Sequence, residues 1–401
     1  MDKKPEKLVP EVRFKGFTDD WEQRKLSSIA HQTFGGGTPS KSNKQFWNGD
    51  FPWIQSSDLA EDTIRGVHPN KFITQNALQI SAAKKIPKNS IAIVSRVGVG
   101  KVALIPFNYS TSQDFLSLSG LKINSQFATY SIHKIMKKTA SQLQGTSIKG
   151  ITKKDILNKA IIFPISGKEQ VHISSLLKYV DYIISLQQRK LEQLKQLKKA
   201  MLQQLFVNKN NKQPNLRFKN FNGDWKQHKL KDISAFENGR AYKQNELLKE
   251  GKYPVLRVGN FYTKDQWYYS NLELDKNKYA NNGDLLYTWS ATFGPHIWSG
   301  PQVIYHYHIW KIQISNKINK FFLYSFLEAD KVNLLHNTNG STMIHITKSN
   351  MENKVIMYPK TEEQLKIGQI SSHINNSITL QQNKLTQLTI FKKYLLQKMF
   401  I

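Results

Sequence analysis

"RFKGFTDDWEQRKLSSI" runs from Arg13 to Ile29, and "RFKNFNGDWKQHKLKDI" runs from Arg217 to Ile233, with ten of seventeen positions identical. So specific a stretch written twice in one chain marks a duplication, and both copies must support one architecture. A second block repeats as well. "QGTSIKGITKKDILNKAIIFPISGKEQ" (144–170) matches "NGSTMIHITKSNMENKVIMYPKTEEQ" (339–364), and "LQQRKLEQLKQLKKAMLQQLF" (from 186) matches "LQQNKLTQLTIFKKYLLQKMF" (from 380). The order of parts is a leading segment, a variable region and a long helix, followed by the same again. The 401 residues suffice for two or three separate cores.

The long helices carry a seven-residue apolar period. Ile173, Val180, Leu194 and Met201 fall on one row of the first helix, and Ile367, Ile374, Leu388 and Leu395 repeat it in the second. A stripe sustained over several heptads predicts a coiled coil in which the two helices bury each other. Gln187 and Gln381 interrupt that row at equivalent places, and Lys198 mirrors Lys392 on a neighbouring row. Polar residues at single core positions fix register at some cost in stability. The return of the chain through a second domain favours an antiparallel pair. Ser166 with Glu169, and Thr361 with Gln364, read as capping boxes that open the helices after Pro164 and Pro359.

The intervening regions read as mixed α/β with short strands. "SIAIVSRVGVGKVALIP" (90–106) and "GDLLYTWSATFGPHIWSG" (283–300) each read as strand, glycine-bearing turn, strand. Beyond the shared blocks the two regions hardly resemble each other, as expected of two scaffolds presenting different loops. The expected fold is α+β: two mixed α/β domains in tandem, separated by two long paired antiparallel helices, with pseudo-twofold symmetry. Its expected boundaries are 1–160 for the first domain, 165–208 for the first helix, 213–357 for the second domain and 361–401 for the second helix.

Lys and Arg number 58 against 29 acidic residues, a formal charge of +29, which predicts a polyanionic partner. No apolar run approaches the roughly 20 residues that span a bilayer, and no lipidation signal favours a membrane surface. Zero cysteines and a charged "MDKKPEKLVPEVRF" start predict a cytoplasmic chain without disulfides. Catalytic motifs fail on inspection. "GVGKVA" (98–103) lacks the acidic residue of a dinucleotide site and, with Val102 after Lys101, the hydroxyl of a P-loop. "FGGGTP" (34–39) reads as a turn, because Pro39 interrupts a helix start. His306 and His308 lack a third metal ligand nearby.

The leading segments "RFKGFTDDW" and "RFKNFNGDW", the run "GGGTPSKSNKQFWNGDFPWIQSSDL" (35–59), "YPVLRVGNF" (253–261) and the paired "LQQ" helices resemble the specificity subunits of type I restriction-modification systems. The resemblance covers essentially the whole chain. It implies two target recognition domains, each reading half of a bipartite site in double-stranded DNA, with the helices as a ruler. It also implies two methyltransferase subunits that bind S-adenosylmethionine and motor-nuclease subunits that use ATP and Mg, none of these cofactors being held by this non-catalytic chain. A self-sufficient two-headed DNA-binding regulator is the alternative.

Phosphate attraction comes from the basic excess, whereas sequence is read only by side chains that reach base edges. The candidates in the first region are Lys41, Ser42, Lys44, Gln55, Ser56, Ser57, Arg96 and Lys101. In the second they are Arg240, Tyr242, Arg257, Asn260, Trp289, Ser290 and Thr292. Thr146, Ser147 and Lys149 recur as Ser341, Thr342 and His345, which points to phosphate positioning or packing. The aromatics of the leading segments, Phe14, Phe17 and Trp21 with Phe218, Phe221 and Trp225, are expected to clasp a helix end, since readers of different targets do not need identical stacking tips.

Overall fold

The computed structural model describes residues 8–143, 150–207, 211–262, 266–290, 292–337 and 346–401. They form two compact units, 1–188 with 384–401, and 189–383. In the first, the chain runs β1 (Trp21–Lys25), β2 (Ala30–Gly35), β3 (Trp47–Ile54), β4 (Lys71–Ile73), α1 (Gln75–Ile80), β5 (Ser90–Val94), β6 (Val102–Ile105), β7 (Ser110–Thr111), β8 (Phe115–Leu121), α2 (Ser125–Leu143), α3 (Lys153–Asn158), β9 (Ala160–Pro164) and into α4 (Gly167–Leu205). An antiparallel sheet has the order β2-β8-β5-β6, a second has β4-β3-β7 with β3 parallel to β7, and β1 pairs with β9. Every residue of β5 is buried because both sheet faces are covered. Ile91 and Ile93 pack with Phe127, Tyr130 and Met136 of α2, while Ala92 and Val94 join Ile54, Tyr109 and Phe115. A continuous apolar run is what a doubly covered strand requires.

The second unit repeats this plan. Its elements are β10 (Lys226–Lys229), β11 (Ser234–Asn238), β12 (Tyr253–Leu256), β13 (Tyr268–Ser270), β14 (Tyr279–Ala280), β15 (Leu285–Thr288), β16 (Gly294–Ile297), β17 (Val303–Tyr305), β18 (Ile309–Ile314), α5 (Lys320–Asn337), α6 (Lys348–Glu352), β19 (Val355–Tyr358) and the start of α7 (Thr361–Lys398). The sheets are β11-β18-β15-β16, β13-β12-β17-β14 with β12 parallel to β17, and β10 with β19. Strand order therefore matches the first unit, with β14 added. Gly36 and Gly239 hold one place in this plan: a Cβ there would collide with the carbonyl oxygen of Ser112 or His306.

The helices have 39 and 38 residues. In the first unit Ile173, Leu177 and Val180, near the start of α4, share a core with Leu395, Met399 and Phe400 at the end of α7. In the second, Leu202 and Leu205 at the end of α4 share a core with Ile367 near the start of α7. Start meets end in each unit, so the pairing is antiparallel. The stripe residues Ile173, Val180, Gln187, Leu194, Met201, Ile367, Ile374, Gln381, Leu388 and Leu395 are all buried or half-buried, whereas Leu186, Leu197, Leu380 and Ile390 are exposed.

The capping boxes do not form as expected. Glu169, 1% exposed, takes a bidentate ion pair from Arg13 at 2.7 and 2.9 Å, and Glu363 takes the same pair from Arg217 at 2.9 Å twice. Gln364 instead donates to the carbonyls of Pro359 and Lys317 and accepts from Asn319 N–H, as Gln170 donates to Pro164 and accepts from Asn124. A buried, long-range partner outcompetes the local cap because it satisfies groups that water cannot reach. The leading-segment aromatics clasp the helix starts: Phe14 and Phe17 pack on His172, Lys366 lies over Phe221, and Trp21 and Trp225 are buried.

Candidate nucleic-acid interface

Four loops meet at one end of the first unit, and main-chain hydrogen bonds knit them. Ser112 N–H donates to Ile54 O, Gly37 N–H to Thr111 O, and Ser95 N–H to Asp114 O. After β3 the chain makes a 3₁₀ turn over Ser56–Asp58, where the buried Asp58 carboxylate accepts from Gln55 N–H and Asn70 Nδ2. Lys101 Nζ donates to Ser56 O, which draws the β5–β6 tip onto this turn. That tip needs Gly98 (φ 99) and Gly100 (φ 107) for its left-handed bends.

The end of the second unit is built on the same bonds. His306 N–H donates to Leu256 O, Arg240 N–H to Tyr305 O, and Trp289 N–H to His308 O. The turn after β12 is held by Asn260, which accepts from Arg257 N–H and donates to Gln266 O. Asp58 and Asn260 thus do one structural job, and Gln55 and Arg257 hold one position.

The candidates divide by what already binds them. Lys41, Ser42, Lys44, Ser57, Arg96 and Thr292 are exposed; Ser56, Lys101 and Ser290 are half-buried. Gln55 accepts from Lys71. Arg240 is tied to Glu246 by bonds of 2.7 and 3.1 Å and lies over Tyr242, whose buried hydroxyl has no hydrogen-bond partner among the described residues. Arg257 lies 4.1 Å above the Tyr268 ring. Trp289 donates Nε1 to Tyr307 O and stacks on Trp310. Arg240, Tyr242, Asn260 and Trp289 therefore build the interface floor before they can read anything. Thr146, Ser147, Lys149, Ser341, Thr342 and His345 lie outside the described residues.

Several residues of this end were not chosen as DNA contacts from the sequence, His306 having been weighed only as a metal ligand. In the first unit Lys153 packs under Gly35, its ammonium held below the usual lysine range by burial and then by Lys84 and Arg96. Three cations so placed favour an anion nearby. The second unit carries rings instead. His306 is pushed down to about 4 by burial, then by His308 and Arg257, and His296 to about 3 by burial and then Lys331. His296 stacks on Phe261 and bonds Tyr262 Oη, so both imidazoles are neutral at pH 7 and act as flat, hydrogen-bonding surfaces rather than charges. Among the described residues no three His, Cys, Asp or Glu side chains gather as a metal site.

The family model "Type I restriction modification DNA specificity domain" matches residues 18–196 and 222–389. Among curated proteins, the type I restriction enzyme MjaIX specificity subunit of Methanocaldococcus jannaschii is 25% identical over 374 residues, 85% of this chain and 83% of that one. The EcoR124I/EcoR124II specificity subunit of Escherichia coli is 31% identical over 156 residues, 36% of this chain and 38% of its own. Among solved structures, the S subunit of a type I restriction-modification system from M. genitalium covers 98% of this chain and 99% of its own, with a TM-score of 0.65 at 17% identity.

Proposed function

Because the chain belongs to the family of type I restriction-modification DNA specificity domains, its role is DNA recognition, and we propose that each half reads one part of an asymmetric bipartite duplex site. The observation that carries this reading is one main-chain framework presenting two unrelated sets of loop side chains. Shared scaffold gives shared docking on phosphates; different side chains give different half-sites. Helices of 39 and 38 residues run about 58 Å at the α-helical rise, long enough to set half-sites a DNA turn or more apart.

The chain itself is non-catalytic in this reading. It scaffolds methyltransferase and motor-nuclease subunits in the cytoplasm, and S-adenosylmethionine, ATP and Mg belong to those partners. The domains run from 1 to 160 and from 213 to 357, with 165–208 and 361–401 as the ruler. Exposed Lys41, Lys44 and Arg96 supply phosphate or base contacts, and the +29 charge makes binding steeply salt-dependent.

Replacing residues 231–355 by the corresponding region of another family member, and mapping methylated sites in the host genome, tests the reading. One half-site changes and the other stays. Alteration of both halves would overturn independent reading.

A further inference from the structure

Resting on that DNA-recognition reading, we infer that Gln113 and Tyr307 are the paired specificity residues of the two halves, each at the centre of the crossover between the parallel strand pair and the central sheet. The triplets Ser112-Gln113-Asp114 and His306-Tyr307-His308 share no sequence, yet they are one place in the fold. Each enters from the strand that runs parallel to β3 or β12 and leaves into β8 or β18. The outer two residues are pinned: Ser112 and His306 donate N–H to Ile54 O and Leu256 O, and Asp114 and His308 accept from Ser95 and Trp289 N–H. Only the middle side chain is exposed, Gln113 beside Thr38 of the β2–β3 loop and Tyr307, 39% exposed, beside Trp289 of the β15–β16 tip.

A main chain fixed on both sides holds the projecting side chain in place, and it lowers the entropy cost of ordering the loop when DNA docks. The chemistry at the two positions differs. Gln113 Oε1 accepts from Thr38 Oγ1 at 2.9 Å, which orients the amide and, among the described residues, leaves its Nε2 donors open to an acceptor such as purine N7, with a second Oε1 lone pair for adenine N6. Tyr307 offers a ring and a hydroxyl. Its N–H donates to Arg240 O, and its carbonyl accepts from Trp289 Nε1, so backbone movement cannot withdraw it.

The test uses the full chain coexpressed with its modification partners, with methylated sites mapped genome-wide. Gln113→Ala relaxes one letter of one half-site, with discrimination falling roughly 10- to 100-fold, and Tyr307→Ala does so in the other half alone. Gln113→Glu keeps the size and the bond from Thr38 but replaces donors by acceptors, so it shifts the preferred letter. The unaffected half reports folding and assembly within the same sample. Unchanged letters in both halves for all three variants would overturn the inference and leave the two-half reading intact; so would an equal loss at every site, which means phosphate contact. A single variant that altered both halves would overturn the two-half reading itself.

Discussion

A lysine of the long helices packs against each recognition region, Lys392 buried and Lys198 half-buried, and the two halves neutralise it differently. In the second unit Lys198 ion-pairs with Glu328 of α5. At the place of Glu328 the first unit has His133, and Lys392 turns to Asp181 of α4, at 2.7 Å, and to the Asp62 carbonyl. Asp181 is further held by Tyr130 Oη. The second unit has Asn375 where the first has Asp181. What is preserved is compensation of a buried charge, and either helix of the packing can supply it.

The most damaging test of this equivalence removes what the halves share. Arg13→Ala and Arg217→Ala each strip an almost wholly buried carboxylate of its ion-pair partner, so each destabilises its own unit by about 3 to 5 kcal/mol. Chemical denaturation should show similar costs. A large difference would mean that the bond from Trp21 Nε1 to Glu169, which Trp225 does not make to Glu363, matters more than the ion pair.

Transplanting one solution into the other half sharpens the contrast. Glu328→His removes the carboxylate that Lys198 pairs with and, because both side chains are only half-buried, costs about 1 to 2 kcal/mol, less than a fully buried pair. Adding Asn375→Asp supplies the first unit's acid and recovers part of that loss in a double-mutant cycle. Additive effects would show that the two positions are not interchangeable.

Acid separates the halves by their histidines. His133, held at about 4 by burial and by Lys392 and Lys137 against Asp62 and Asp181, and His296, at about 3 by burial and Lys331, are neutral when folded. The unfolded chain takes up protons first, near 6.5, so their stabilisation is complete above that pH and is lost as pH falls toward 4 or 3. Each histidine lowers stability by about 2 kcal/mol between pH 7.5 and 5. His133→Gln should flatten that dependence in the first unit only, as read by melting at both pH values.

The smallest effect concerns the clasps. Phe221→Ala removes the ring under Lys366 and costs about 1 kcal/mol or less beyond its lost packing, and Phe17→Ala removes a ring from His172 with a similar result. Equal melting shifts would fit one shared clasp.

The duplicated blocks were legible because identical residues do identical work: Arg13 and Arg217, Trp21 and Trp225, Gln170 and Gln364 each hold one place in the fold. Heptad spacing gave the buried stripe for the same reason. Glu169 and Gln364 were misjudged because a local pattern cannot announce a partner 156 or 45 residues away. The loop tips were found from their turn residues. Gln113 and Tyr307 were not, since the bonds that equate them run through backbone atoms of a parallel strand pair, and backbone bonds leave no mark on side-chain identity.

The first unit is not made of contiguous chain. Its core includes Leu395, Met399 and Phe400, while the second unit is finished by residue 383. During synthesis the amino-terminal half therefore waits for residues made after the whole second unit, against the usual order in which the first domain folds first. A frameshift or nonsense codon after residue 387 would strike the half made earliest, spare most of the half made later, and leave Ile173, Leu177 and Val180 as an uncovered apolar surface for chaperones and proteases.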